Sequence, residues 1–254
     1  MRGDGNERVG LIPSPFWSTV NTPRARTGAP TSALTVGTPA LQAVLFDMEG
    51  TLVDTEDMWL EVVGAVAARH GRALDEEGRG AVLGRSVEDT ADLLYGALGV
   101  RRDRLADELG GDFTARIAEG APPRPGALDL LAALRAQGVP TALVSASPRA
   151  VVRRIAGSLD GHTFDAVYGA EDTPRTKPAP DPYLAAAAAL GADPGRCVAV
   201  EDTPTGVASA EAAGCAVLAV PSVRPIAPAP GRTVVADLTR ADVALLRSLV
   251  GGAA

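Results

Sequence analysis

The chain has 254 residues, 46% hydrophobic and 22% charged, which suits one large domain or two modest ones with a substantial core and excludes global disorder. Its net charge is −7 and its isoelectric point about 4.9, with no basic stripe interleaved with aromatics, so a nucleic-acid partner is disfavoured. No apolar run approaches a membrane span and the N-terminus lacks an apolar signal region, so the expectation is a cytoplasmic protein with no membrane partner.

Residues 1–40 are rich in Pro, Gly, Thr, Ser and Arg without sustained periodicity and read as a disordered tail. From residue 42 short apolar runs alternate with helical stretches. Strands are predicted over 42–47, 140–145, 165–168, 197–201, 216–220 and 233–236, and helices over 127–137, 148–159, 182–190, 204–213 and 240–250. Continuous apolar strands alternating with helices argue for a parallel sheet covered on both faces. The stretch between the first two strands contains no good strand and reads as four helices, 56–69, 74–83, 86–98 and 102–118. The predicted organisation is an α/β core, residues 41–57 and 124–254, with a helical cap at 58–123.

The chemistry-bearing residues fall at strand ends. Asp47 and Glu49 stand two residues apart directly after the first strand, and Gly50 lets the backbone turn sharply. Ligands of open parallel sheets gather outside the carboxyl ends of the strands. A carboxylate pair there can supply a nucleophile and a general acid/base or bind a metal, although the same stretch also reads as a plain acidic turn. Ser145 ends the second strand. Lys177 is the only lysine among 24 basic residues, and a lysine offers a compact charge where an arginine offers a wide fork. Glu201 and Asp202 end the fourth strand, as oxygen ligands for a hard dication or as a buried ion pair. Ser147-Pro148, Asp181-Pro182 and Thr203-Pro204 each place a capping residue before a proline at the first helical position. An acidic protein that binds a phosphate ester must assemble positive charge locally, from a metal, a lysine and helix N-termini. Cys197 and Cys215 read as buried thiols of a reducing compartment. His70 and His162 are too few for a His-based zinc site or a Ser-His-Asp triad.

Asp47-Met-Glu-Gly-Thr-Leu-Val-Asp54 resembles the first motif of the haloacid dehalogenase-like (HAD) hydrolases, usually Asp-x-Asp-Gly-Thr-Leu-x-Asp. Ser145 resembles the second motif, and Lys177-Pro-Ala-Pro180 the third. Glu201-Asp202 followed by Thr203-Pro-Thr-Gly206 and continuing to Gly214 resembles the fourth. The resemblance extends from residue 41 to the end. It implies a Rossmann-like parallel sheet with helices on both faces and an inserted α-helical cap. It also implies Mg²⁺ as cofactor, with an aspartyl-phosphate formed on Asp47 and Glu49 as general acid/base. Ser145, the backbone N–H of Ala146, and Lys177 would bind the phosphoryl group, with Thr51 helping. Asp47, Asp202 and Glu201 would hold the metal, together with the backbone carbonyl of Glu49. In the cap, Gly84-Arg85-Ser86 resembles a substrate-facing turn in which Arg85 contacts substrate, and a solvated Arg85 is an equal reading.

Glu49 departs from the motif. The reference pKa values of Asp and Glu are close, ~3.9 and ~4.3. The added methylene moves the carboxyl, and misplacement by about 1 Å can cost roughly 10²-fold in rate. Phosphonate hydrolases of the family carry Ala here and haloacid dehalogenases Tyr, so a retained carboxyl with a retained metal site favours phosphate-ester chemistry. Some sugar phosphomutases of this shape carry His twelve residues after the nucleophile, where this chain has Trp59. A receiver domain shares the Asp, hydroxyl, Lys and Mg²⁺, but the long helical insert argues against it. The reading is a Mg²⁺-dependent phosphatase of a small phosphorylated metabolite, of sugar-phosphate or phosphoglycolate type. The alternatives are a phosphate-binding pseudoenzyme and a sugar phosphomutase.

Overall fold

A computed structural model describes residues 41–83, 85–159 and 161–251; the expected tail, residues 1–40, lies outside the described residues. Six short strands form one sheet: β1 (Ala43–Phe46), β2 (Thr141–Val144), β3 (Ala166–Tyr168), β4 (Cys197–Glu201), β5 (Ala216–Ala219) and β6 (Arg232–Val234). Their order is β3-β2-β1-β4-β5-β6, with every neighbouring pair parallel. The inner strands β1, β2 and β4 are buried at every residue, whereas the edge strands β3 and β6 are only half-buried. That gradient is why the inner runs are almost wholly apolar, with Thr141 and Glu201 only at strand ends.

The helices are α1 (Glu56–Arg69), α2 (Glu76–Val82), α3 (Val87–Leu98), α4 (Arg102–Ala118), α5 (Ala127–Ala136), α6 (Arg149–Ala156), α7 (Asp181–Ala189), α8 (Pro204–Ala212) and α9 (Val243–Gly251). Side chains alternate across a strand, and the two faces of the sheet carry different cores. Val44, Phe46, Leu143, Val198, Val200 and Leu218 face α5, α6 and α9. Ala43, Leu45, Ala142, Val144, Ala199 and Val217 face α7 and α8, meeting Tyr183, Ala186, Val207 and Ala210. Alanines on both sides of this second contact let an Ala-rich helix approach the strands closely. Each fully buried Val, Leu or Phe stabilises the fold by about 1.5–3 kcal/mol.

Between β1 and β2, α1 to α4 bury a third cluster: Trp59, Val63 and Val66 of α1, Val82 of α2, Ala91 of α3, and Leu105 and Leu109 of α4. The chain enters and leaves this helical insertion along adjacent paths. Asp54 N–H donates to Pro122 O at 2.8 Å, and Arg124 N–H to Leu52 O at 2.9 Å. The apolar face of the insertion continues to Phe113, which also touches the first core.

Two expected helix caps are not formed. α6 begins at Arg149, after Pro148, so Ser147 lies too far upstream to cap it. Asp181 lies inside α7, where its carboxylate takes both Arg175 Nε and Nη2 at 3.0 and 2.8 Å. Thr203 does cap α8, accepting from Gly206 N at 3.1 Å. The last helix starts at Val243, not residue 240, because Leu238–Arg240 forms a separate 3-10 turn capped by Asp237.

Candidate active site

In the order 3-2-1-4-5-6 the connections leave in opposite directions from β1 and β4, which are neighbours, and a crevice opens beyond their carboxyl ends. Asp47 follows β1 and is tied to β4 by its N–H, which donates to Val200 O at 3.0 Å. Glu201 ends β4 and Asp202 follows it. Gly50 turns the first loop back with φ of 73°, and a Cβ there would lie 2.0 Å from Asp202 Oδ2. The two strand ends therefore meet only because residue 50 has no side chain.

Lys177 enters from the loop before α7, its side chain 6% exposed. Its Nζ donates to Asp47 Oδ1 at 2.6 Å, Glu201 Oε1 at 2.6 Å and Val144 O at 2.9 Å. An ammonium has three donors, and all three are used. Burial lowers its pKa, but the charges of Asp47 and Glu201 outweigh burial and hold it above the ordinary lysine range. The same Glu201 Oε1 accepts from the buried Tyr183 hydroxyl at 2.5 Å. Burial, reinforced by the Glu201 charge, keeps that phenol protonated, well above its usual range. The Glu201 carboxylate packs directly on α8, where a Cβ at Gly206 would lie 2.0 Å from both of its oxygens.

Asp47, Glu201 and Asp202 each offer an oxygen within 4.8 Å of the others, and all three are buried. Asp47 Oδ2 and Glu201 Oε2 are buried without a hydrogen-bond partner. Burial pushes the Asp202 carboxyl up to about 8, with the Asp47 and Glu201 charges adding to it. Burial likewise pushes Glu201 up to about 7, against the pull of Lys177. Three crowded carboxylates facing one ammonium, with two orphaned oxygens, form an all-oxygen donor set that fits a hard divalent cation. Ser222 Oγ donates to Asp202 Oδ2 at 2.5 Å, fixing that carboxylate.

Glu49 turns away from this cluster. Its Oε2 accepts from Ser145 Oγ at 2.8 Å and its Oε1 from Ser147 Oγ. Burial and the charge of Asp47 raise its pKa, and the two serine hydroxyls oppose the rise.

The structure thus brings together Asp47, Glu49, Ser145, Lys177, Glu201 and Asp202. The Glu49 carboxyl is not part of the acidic cluster. Thr51 Oγ1 is buried 3.5 Å from Asp202 Oδ1, on the carboxylate side of the site. Ala146 is exposed beside Ser145. Arg85 is not drawn in: it is exposed, and its Nε donates back to Ala81 O, in the last turn of α2, at 2.6 Å. Trp59 is a core residue of the helical insertion, with Nε1 donating to Val82 O at 3.0 Å and its ring edge-on to Phe113. Sequence reasoning missed Tyr183, Ser147 and Ser222. Tyr183 lies six residues after Lys177 on the first turn of α7, a spacing that could have marked it. Ser222, twenty residues from Asp202, gives no local signal.

A family model for haloacid dehalogenase-like hydrolases matches residues 41–214. Hexitol phosphatase B of Escherichia coli K12 is 32% identical over 204 residues, 77% of this chain and 90% of that protein. Hexitol phosphatase A of the same strain is 38% identical, covering 69% of this chain and 81% of its own length. Among solved structures, a HAD family hydrolase of Deinococcus radiodurans with bound phosphate and sodium superposes with a TM-score of 0.64 at 29% identity, covering 85% of this chain and 100% of that one. CbbY of Rhodobacter sphaeroides shares the fold at a TM-score of 0.66 and 24% identity, covering 81% of this chain and 99% of that one. With the motif residues gathered at one sheet edge and the family model spanning most of the chain, this protein belongs to the haloacid dehalogenase-like hydrolases.

Proposed function

We propose that the protein is a divalent-cation-dependent phosphatase of a small phosphorylated metabolite, of the sugar- or hexitol-phosphate class. The observation that carries this reading is Lys177 Nζ bridging Asp47 and Glu201 at 2.6 Å each, beside Asp202. That arrangement sets the Asp47 carboxylate against a lysine ammonium at the mouth of the sheet, where a phosphoryl group would be attacked. The similarity to hexitol phosphatases supports the substrate class.

Asp47 is the nucleophile. One of its oxygens forms a bond to phosphorus while the bond from phosphorus to the substrate oxygen breaks. Glu49, its pKa raised so that a proton is held more readily, gives that proton to the departing oxygen. It then takes a proton from the water that attacks the aspartyl-phosphate, releasing inorganic phosphate and restoring Asp47. Ser145 and the Ala146 N–H hold the phosphoryl oxygens, Lys177 sets its positive charge beside them, and Thr51 steadies Asp202. Asp47, Asp202, Glu201 and the Glu49 carbonyl would hold Mg²⁺, which when bound neutralises the charge of the phosphoryl group. The helical segment 58–123 caps the site and excludes water. Positioning and charge neutralisation supply most of the catalysis in such a site.

A second reading, a phosphate-binding protein with impaired turnover, is favoured by one observation: both Glu49 oxygens are engaged by serines, one of them Ser145 itself. Phosphate release from a panel of hexitol and sugar phosphates and phosphoglycolate, with Mg²⁺, separates the two. Activity in the wild type that is lost in Asp47→Asn establishes the phosphatase. An inert wild type beside an active Glu49→Asp variant makes the binding protein the better description.

A further inference from the structure

The glutamate at position 49 is met by a structural counterpart. Ser147 N–H donates to Ser145 Oγ at 2.9 Å, an ST-turn that brings both hydroxyls to one side of the loop after β2. Ser145 then donates to Glu49 Oε2 and Ser147 to Glu49 Oε1, so each carboxylate oxygen has its own hydroxyl. The Ser147 backbone is itself fixed. Its carbonyl accepts Ala170 N–H at 2.9 Å, and Gly169 packs so close that a Cβ there would lie 3.0 Å from Ser147 O and 2.6 Å from Arg149 Cα. Pro148 delays α6 until Arg149, which leaves the Ser147 hydroxyl free of capping duty.

We propose that Ser147 is a positioning residue for Glu49, its hydroxyl holding in place the glutamate that this site carries in its first motif. The proposal rests on the phosphatase reading. An aspartate side chain is shorter by one C–C bond, roughly 1.5 Å, and loses the reach that brings Oε1 to Ser147. A serine hydroxyl has a single proton. When a phosphoryl group claims the Ser145 proton, Glu49 loses that donor, and Ser147 remains to hold the longer, more rotatable side chain in place.

The test is a double-mutant cycle of Ser147→Ala and Glu49→Asp, with Ser147→Thr as the conservative control, read by steady-state kinetics and by thermal unfolding. Ser147→Ala alone lowers kcat about 10-fold with KM changed less than about 2-fold, as removal of a charge-assisted bond outside the substrate contacts requires. Ser147→Thr, which keeps the hydroxyl, recovers most of that loss. In the Glu49→Asp background the Ser147→Ala effect shrinks to about 2-fold. Ser147→Ala likewise lowers Tm more in the Glu49 background than in the Glu49→Asp background. Equal losses in both backgrounds, or a loss confined to KM, overturn the proposal. If Tm shows the coupling but no protein of the set releases phosphate, the phosphatase reading falls and the catalytic role of Ser147 with it. An active wild type without coupling removes the Ser147 role alone.

Discussion

Lys177 meets three oxygens with three N–H groups in a pocket that leaves its side chain 6% exposed. A guanidinium is wider and planar and cannot place one nitrogen among all three acceptors. Lys177→Arg is therefore expected to lower kcat by about 10²-fold, the order of loss that misplacement by about 1 Å produces, measured as phosphate release at saturating substrate. Gly206 imposes a second local demand, since any Cβ there collides with the Glu201 carboxylate at 2.0 Å. Gly206→Ala must displace Glu201 or α8, and the expected outcome is a loss of both activity and Tm. Retained activity and Tm would show that the carboxylate has another place to go.

At the scale of an element, α8 carries the wall against which Glu201 packs, and its first turn depends on Thr203 Oγ1 accepting from Gly206 N at 3.1 Å. Loss of such a cap costs about 1 kcal/mol. Thr203→Ala is expected to destabilise the protein by that amount in denaturant unfolding, with the midpoint lowered and the slope unchanged. The insertion α1–α4 behaves differently. Its Trp59 fills the cluster and donates to Val82 O at 3.0 Å, tying α1 to the end of α2. No acid/base group stands where phosphomutases of this shape carry histidine, and this architecture speaks for hydrolysis.

For the whole molecule, protons and metal act on one balance. The Glu201 and Asp202 carboxyls, pushed up to about 7 and about 8 by burial, make the metal-free native chain bind more protons than the unfolded chain. Their contribution to stability is present below the ordinary carboxylate range and is lost as pH rises through about 8. A divalent cation that binds only the native state opposes this, adding about 2.7 kcal/mol at a hundredfold excess over its Kd. Mg²⁺ is thus expected to raise Tm more at pH 8 than at pH 5, and Asp202→Asn to abolish most of the shift in differential scanning calorimetry. His162 has the opposite sign. Burial, helped by the Arg135 charge, lowers its pKa below 6.5, so its contribution is complete above 6.5 and is lost as pH falls through the native pKa. Subtracting the Tm–pH curve of His162→Gln from that of the wild type isolates this loss on the acid side.

The strands and helices of the core and the order of the motifs were legible in the residues alone. Unbroken apolar runs such as Ala43–Phe46 and Cys197–Val200, alternating with helical stretches, read as inner parallel strands. Carboxylates directly after such runs must lie at the sheet's carboxyl edge. The helical insertion was equally legible, and α1 and α4 have the bounds that their periodicity indicated. Local pattern was not enough for Ser147 and Asp181, where a polar residue before proline resembles a cap but is claimed by a partner distant in sequence or by an arginine in the preceding loop. Folding in three dimensions is what makes Tyr183 and Lys177 share one Glu201 oxygen, Ser222 fix Asp202, and Glu49 lie between two serines. Each of these contacts joins separate segments across the sheet edge, and the reach of a side chain across such a gap is set by packing, which residue spacing does not encode.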